Sequence, residues 1–172
     1  NNIKKMTIVG GYYAYKNAAL LVENNVSVLL RRVHDLPMLE DEDVNLPFKN
    51  AKLLNDAGVL VGLENMGDME RMQARNLPFY AGTCAAWGMD KEKALQLITS
   101  NSAKILGIDA TYGTLETGKS ATLFISDGDA LDMKTNKIST AFIDGRQISL
   151  ESHQTELYER YKEKFQSSKV TE

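Results

Sequence analysis

Three short apolar runs, MTIVG at 6–10, VSVLLRR at 26–32 and VLVGLEN at 59–65, alternate with two segments of helical character. A strand that reaches the next one through a helix enters the sheet parallel to it, because the crossover carries the chain back to the same end. The order strand, helix, strand, helix, strand therefore restricts residues 6–65 to a parallel α/β arrangement. The first helix is expected in YYAYKNAALLVENN (12–25), where Ala14, Ala18, Leu21 and Val22 recur at helical spacing and Asn24-Asn25 close it. The second is expected in KNAKLLNDAG (49–58), ending on Gly58. Between them, residues 33–48 carry Pro37, Pro47 and four consecutive acids, Glu40 to Asp43. That stretch reads as a long loop, and its acidic run as solvated surface rather than a cation site.

Residues 66–89 are helical in composition and interrupted at Pro78, with Met69 and Met72 expected as core filling. The small residues Ala81, Gly82, Ala85, Ala86 and Gly88 suit close packing against a flat surface. Asp90 is an expected N-cap for a helix whose inner face is Leu95 and Ile98, and a second short helix follows it. Beyond residue 113 the pattern changes to short strands bounded by Gly113, Gly118, Gly128 and Gly145. Asp144-Gly145 between two β-rich runs predicts a two-residue hairpin. The tail ESHQTELYERYKEKF predicts a helix with Leu157, Tyr161 and Phe165 on one face, and QSSKVTE is expected to fray.

A net charge of −3 gives no reason to expect nucleic acid or an anionic membrane as partner. No apolar run approaches the roughly 18 residues of a membrane span. The start, NNIKKMTIVGG, has neither a long apolar core nor an initiator methionine, so no secretory leader is expected in it and the chain need not begin where its gene begins. The single cysteine, Cys84, excludes an internal disulfide and reads as a buried filler in the run GTCAAWG.

The stretch 90–148 resembles the C-terminal end of the metal-dependent amidohydrolase superfamily, in its imidazolonepropionase-like and prolidase-like branch. The residues that carry the resemblance are Ala94, Leu95, Ile98, Thr99, Asn101, Ala103, Lys104, Leu106 and Gly107. They continue through Gly113, Leu115, Gly118, Lys119 and Ala121, then Asp127-Gly128-Asp129 and Ile143-Asp144-Gly145-Arg146. Upstream, TIVGG, VSVLLRR and GVLVGLEN are similar to the family's sixth, seventh and eighth barrel strands. Two positions depart from the pattern: Ser102 stands for a usual proline and Thr122 for a usual aspartate.

The resemblance implies an α/β fold, the C-terminal part of a TIM (β/α)8 barrel with about its last three strands, plus part of a small β-sandwich and a C-terminal helix. Residues 1–112 would be the partial barrel, 113–149 the sandwich portion and 150–172 the helix and tail. It also implies metal-dependent hydrolysis of C–N bonds, in which one or two divalent metals, zinc first among them, activate water at the barrel mouth. The family draws its ligands from an HxH pair on strand one, a lysine or carboxylate on strand four, histidines on strands five and six, and an aspartate on strand eight. Strands one to five are not expected in this chain, and no histidine stands near Gly10, where the strand-six ligand would fall. Glu64 stands near the strand-eight aspartate, one methylene longer, as a candidate base or ligand.

The other candidates are substrate-pocket residues: Arg31, Arg32, His34 and Asn65. The arginines suit a substrate carboxylate through their forked guanidinium groups, or pair with Glu64 across the mouth. His34 is open to a loop role, a substrate contact or a metal role, and His153 reads as surface. No cluster satisfies a metal site's ligand count, so no metal or other cofactor is assigned to this chain alone. Partners follow: the N-terminal barrel half, in the same protein or another chain, or self-association, with a small-molecule or peptide-like substrate and neither nucleic acid nor membrane. The chain then reads as a fragment of an amidohydrolase-like protein not competent alone, and the position near Gly10 favours a degenerate copy. The alternative is a non-catalytic binding or scaffolding domain that reuses the fold. The resemblance leans towards the bacterial periplasm or envelope.

Overall fold

The computed structural model describes residues 3, 5–31, 33–65, 67 and 69–167, of which 70, 71, 163 and 167 are described by their backbone alone. Strands β1 (Met6–Gly10), β2 (Val26–Arg31) and β3 (Val61–Glu64) form a parallel sheet in that order. The register sets Ile8 beside Val28, Val28 beside Val61 and Leu30 beside Leu63. Alternation then sends these side chains to one face, where they join Ala51 and Leu54 of α2 (Leu46–Asp56), Ala81 and Cys84 of α3 (Leu77–Ala86), and Ala94 and Leu97 of α4 (Lys91–Ile98). Leu54, Leu97, Val28 and Val61 are fully buried there, each contributing about 1.5–3 kcal/mol of apolar transfer.

The opposite face carries Thr7, Val9, Ser27, Leu29, Arg31, Gly62 and Glu64. Its lower half is covered by α5 (Ser100–Leu106). A Cβ at Gly62 would lie 2.9 Å from Ser102 Oγ and 3.2 Å from Ile105 Cδ1, so the strand is glycine there because a helix crosses it. Asn101 Nδ2 donates to the Val61 carbonyl at 2.9 Å, and the Lys5 ammonium donates to the Lys104 carbonyl.

The first helix is shorter than its periodicity predicts: Ala14–Asn17 form a 3₁₀ turn and only Ala18–Glu23 are α-helical (α1). Ala18 and Leu21 face the core, while Val22 is 45% exposed. α2 starts at Leu46, inside the stretch read as loop, because Pro47 in its first turn lacks an N–H that would be unpaired anyway. Pro78 likewise begins α3 instead of interrupting a longer helix, and residues 70–76 before it are a 3₁₀ segment. Met69 and Met72 are 68% and 69% exposed, so they do not fill the core. Asp90 caps α4 through Lys93 N, and the wholly buried residues of α4 are Ala94 and Leu97, with Leu95 and Ile98 at the margin of the core.

Strands β4 (Leu123–Ser126), β5 (Ile138–Ile143) and β6 (Arg146–Ile148) form an antiparallel sheet in that order. Asp144 and Gly145, at φ 49° and 76°, make the mirror-image turn that the hairpin between β5 and β6 requires. Thr122 Oγ1 accepts from Asp144 N at 3.1 Å, a structural use for the position that departs from the resemblance. The β4–β5 connection reaches back to the helical layer, where Leu131 is buried and Lys91 pairs with Asp129. The tail helix α6 (His153–Ser167) leaves Tyr158, Tyr161 and Phe165 exposed.

Gly82 is where α3 meets that connection, since a Cβ there would lie 2.1 Å from the Leu131 carbonyl oxygen. The obstacle is backbone, so Gly82→Ala should destabilise the fold by about 1–3 kcal/mol despite alanine's better helix propensity. Thermal unfolding measures it, and an unchanged or raised Tm would contradict the close approach.

Candidate functional site

The C-terminal ends of the parallel strands and the loops that leave them lie together at one end of the sheet, its mouth. Arg31 ends β2 and Glu64 ends β3, and the two are register partners on adjacent strands. Their preceding residues, Leu30 and Leu63, point into the core, so alternation turns both charged side chains to the opposite face. Asn65 follows Glu64 and is half-buried. Arg31 also lines a hollow of about 340 Å³ with Gly10, Gly11, Tyr12, Asp35 and Met38. Arg32 lies outside the described residues.

The exit from β1 depends on its two glycines. Gly11 has φ 58°, and a Cβ there would meet Val28 Cγ1 at 2.7 Å. Gly10 has φ 94° with nothing within 4 Å of an added Cβ, so space is available but the backbone is one that L residues rarely adopt. Val9 is the last strand residue of β1 directed to the mouth face, and it is apolar and 51% exposed. β1 thus brings no metal donor to the mouth, and among the described residues no group of three His, Cys, Asp or Glu converges on a cation site. A single carboxylate beside a guanidinium does not fit a metal centre made from these residues alone.

Sequence reasoning missed the residues that shape the mouth. Glu42, from the acidic run, accepts hydrogen bonds at one oxygen from the Tyr12 hydroxyl (3.1 Å), Met38 N (3.1 Å) and Leu39 N (3.3 Å). Burial alone would raise its pKa, but the Tyr13 and Tyr12 hydroxyls and the two amides hold it below the usual carboxylate value. The Tyr13 phenol is pushed up to about 12 by burial and by the same carboxylate. Asp43 accepts from Lys49 Nζ at 2.6 Å and from Asn45 N, so the acidic run is partly a set of structural acceptors. Asn50 is 1% exposed and donates to the Tyr12 carbonyl at 2.7 Å, tying the β1 exit to α2. Its signal was visible: a polar residue in phase with the apolar Leu46 and Leu54.

His34 sits apart from Arg31 and Glu64. Its Nε2 lies 2.7 Å from Thr83 Oγ1, and that hydroxyl donates to the Phe79 carbonyl, so the imidazole is the donor to Thr83. Its ring meets Tyr80 and Phe48 edge-on, with centroids 4.8 and 6.2 Å away. These contacts place it between α2 and α3, in the helical layer and not in the hollow at Arg31. His153 is on the surface of α6. Burial pushes the Cys84 thiol up to about 12, which suits packing and not nucleophilic chemistry.

Burial also lowers the His34 pKa. The folded value lies below the unfolded one, so its contribution to stability is complete above about pH 6.5 and is lost as pH falls through the folded value. Urea unfolding should therefore show wild type losing more of its midpoint than His34→Gln between about pH 7.5 and about pH 5.5. Equal losses would mean that His34 carries no such coupling.

The sequence model of the amidohydrolase family matches residues 31–148, well over half of the chain. An imidazolonepropionase from Flavobacterium psychrophilum is 28% identical over 112 residues, covering 61% of this chain and 27% of that protein. An amidohydrolase from Thermotoga maritima MSB8 superposes with a TM-score of 0.67 at 27% identity, over 83% of this chain and 36% of that one. A prolidase solved with N-methylphosphonate-L-proline superposes at 0.62 and 19% identity, over 85% and 40%, which bears on the fold alone. The chain thus spans about a quarter of the curated relative and less than half of these solved chains. The described residues contain no helix long and apolar enough to cross a membrane. The α/β sheet, the helices on one of its faces and the appended antiparallel sheet agree with the sequence match: the chain belongs to the amidohydrolase family, which is generally metal-dependent.

Proposed function

We propose that this chain is the strand-six-to-eight portion of an amidohydrolase barrel, with residues 1–112 in the barrel, 113–149 in the sandwich and 150–172 as helix and tail. The completed barrel hydrolyses the C–N bond of a small amide or peptide-like carboxylate. The observation that carries this reading is the register of Arg31 with Glu64 on the mouth face. The guanidinium suits a substrate carboxylate, and the Glu64 carboxylate, near where the resemblance puts the family's strand-eight aspartate, suits the acceptance of a proton from water. That proton passes to the nitrogen that leaves as amine, while the water oxygen joins the acyl carbon.

β1 and β3 are each paired on one side only among the described residues, so the remaining barrel strands have two edges to join. Those strands, from the same protein or another chain, would bring the donors that a divalent metal, zinc first among them, requires; the residues described here do not supply a centre. The envelope as compartment follows from the resemblance alone. A second reading, a binding or scaffolding domain without turnover, is favoured by one observation: Val9, the last β1 residue on the mouth face and next to Gly10, near which a histidine ligand would fall, is apolar.

In the intact protein, Glu64→Gln should lower kcat for N-acyl amino acids about 10²- to 10⁴-fold with little change in KM. Arg31→Ala should instead raise KM roughly tenfold or more. No hydrolysis by zinc-supplied wild type, with ligand binding retained, would discard the hydrolase reading in favour of the second.

A further inference from the structure

The hollow at Arg31 has walls from two separate loops. Gly10 ends β1 and Gly11 and Tyr12 open its exit, while Asp35 and Met38 belong to the β2 exit. One Glu42 oxygen joins those walls, because it accepts from the Tyr12 hydroxyl and from Met38 N. Leu39 N adds a third donor to the same atom, and Glu42 N returns a bond to the Leu39 carbonyl at 3.3 Å. The β1 exit is itself anchored to α2 through Asn50 and the Tyr12 carbonyl. The β2 exit makes the longer excursion, so the carboxylate holds the less constrained wall against the more constrained one. Leu36, Met38 and Leu39 remain exposed along that wall, giving it an apolar rim.

We propose that Glu42 is the positioning residue of the mouth, latching the Met38 wall to Tyr12 so that the hollow over Arg31 is a preformed seat for a small carboxylate ligand with an apolar substituent. The ligand class rests on the carboxylate reading of Arg31 given above; the latch rests on the hydrogen bonds alone. Glu42 does not touch the ligand. It acts by keeping the seat assembled before binding, which spares the ligand the cost of ordering the loop.

The test uses the intact protein as wild type, Glu42→Ala, Glu42→Gln and Arg31→Ala, with N-acetyl-L-leucine as probe. Amide hydrogen exchange at Met38 and Leu39 reads the latch, and the Leu36 amide, held by Asp35 Oδ1, is the internal control. Calorimetric titration reads the seat. Glu42→Ala should speed exchange at Met38 and Leu39 about tenfold, leave Leu36 unchanged and weaken probe binding about tenfold. Glu42→Gln should restore most of both, because its amide oxygen replaces the acceptor. Arg31→Ala should weaken binding without altering the exchange. Unchanged exchange in Glu42→Ala, or freed amides with wild-type affinity, overturns the latch as a positioning device. A glutamine variant as impaired as alanine also overturns it, since charge and not the joint would then matter. Wild type that ignores the probe, or Arg31→Ala with undiminished affinity, overturns the ligand class and the seat with it, while the exchange data still judge the joint between the walls.

Discussion

A side chain on the parallel strands faces either the helices or the opposite side, and a one-residue slip in register would exchange the two sets. Val28, Leu30, Val61 and Leu63 commit one set to the helical core. That commitment leaves Arg31 and Glu64 no direction but the other face, at the end where the strands finish. The polar mouth is therefore a by-product of the apolar packing, and its precision derives from the register that buries four aliphatic side chains. The same geometry explains α5. The lower half of that face is held by Gly62, Asn101 and Ser102, which lets one face of the sheet be plugged at one end and chemically presented at the other.

Much of this was readable in advance where one period dominated. The parallel order of β1, β2 and β3, the Asp90 cap and the Asp144-Gly145 hairpin each follow from a local signal that nothing in the tertiary structure opposes. Helix limits were less legible around prolines. Pro47 reads as part of a loop and Pro78 as an interruption, yet both open helices, because a missing N–H costs nothing in the first turn. Met69 and Met72 read as core filling from composition alone, but Met69 precedes a 3₁₀ turn and Met72 lies within it, and both side chains are exposed.

The site divides along the same line. Arg31 and Glu64 end strands that the sequence marks clearly, so their adjacency is legible in advance. His34 was grouped with them by its place after β2, but the chain turns there and directs the ring between α2 and α3, towards Thr83. Glu42 was hidden in a run of acids whose shared composition masked different roles: Glu42 binds backbone amides and a phenol, and Asp43 binds a lysine. A pairing that joins residues 12, 38 and 42 is set by how two loops converge, and no periodicity encodes it.

Cys84 is the only cysteine in the chain, lies at the centre of α3's inner face and is wholly buried. That combination makes the molecule its own opening gauge. A thiol reagent added to the folded protein finds no target until α3 lifts from the sheet, so the labelling rate counts excursions of the helical layer and not the fluctuations of the mouth loops.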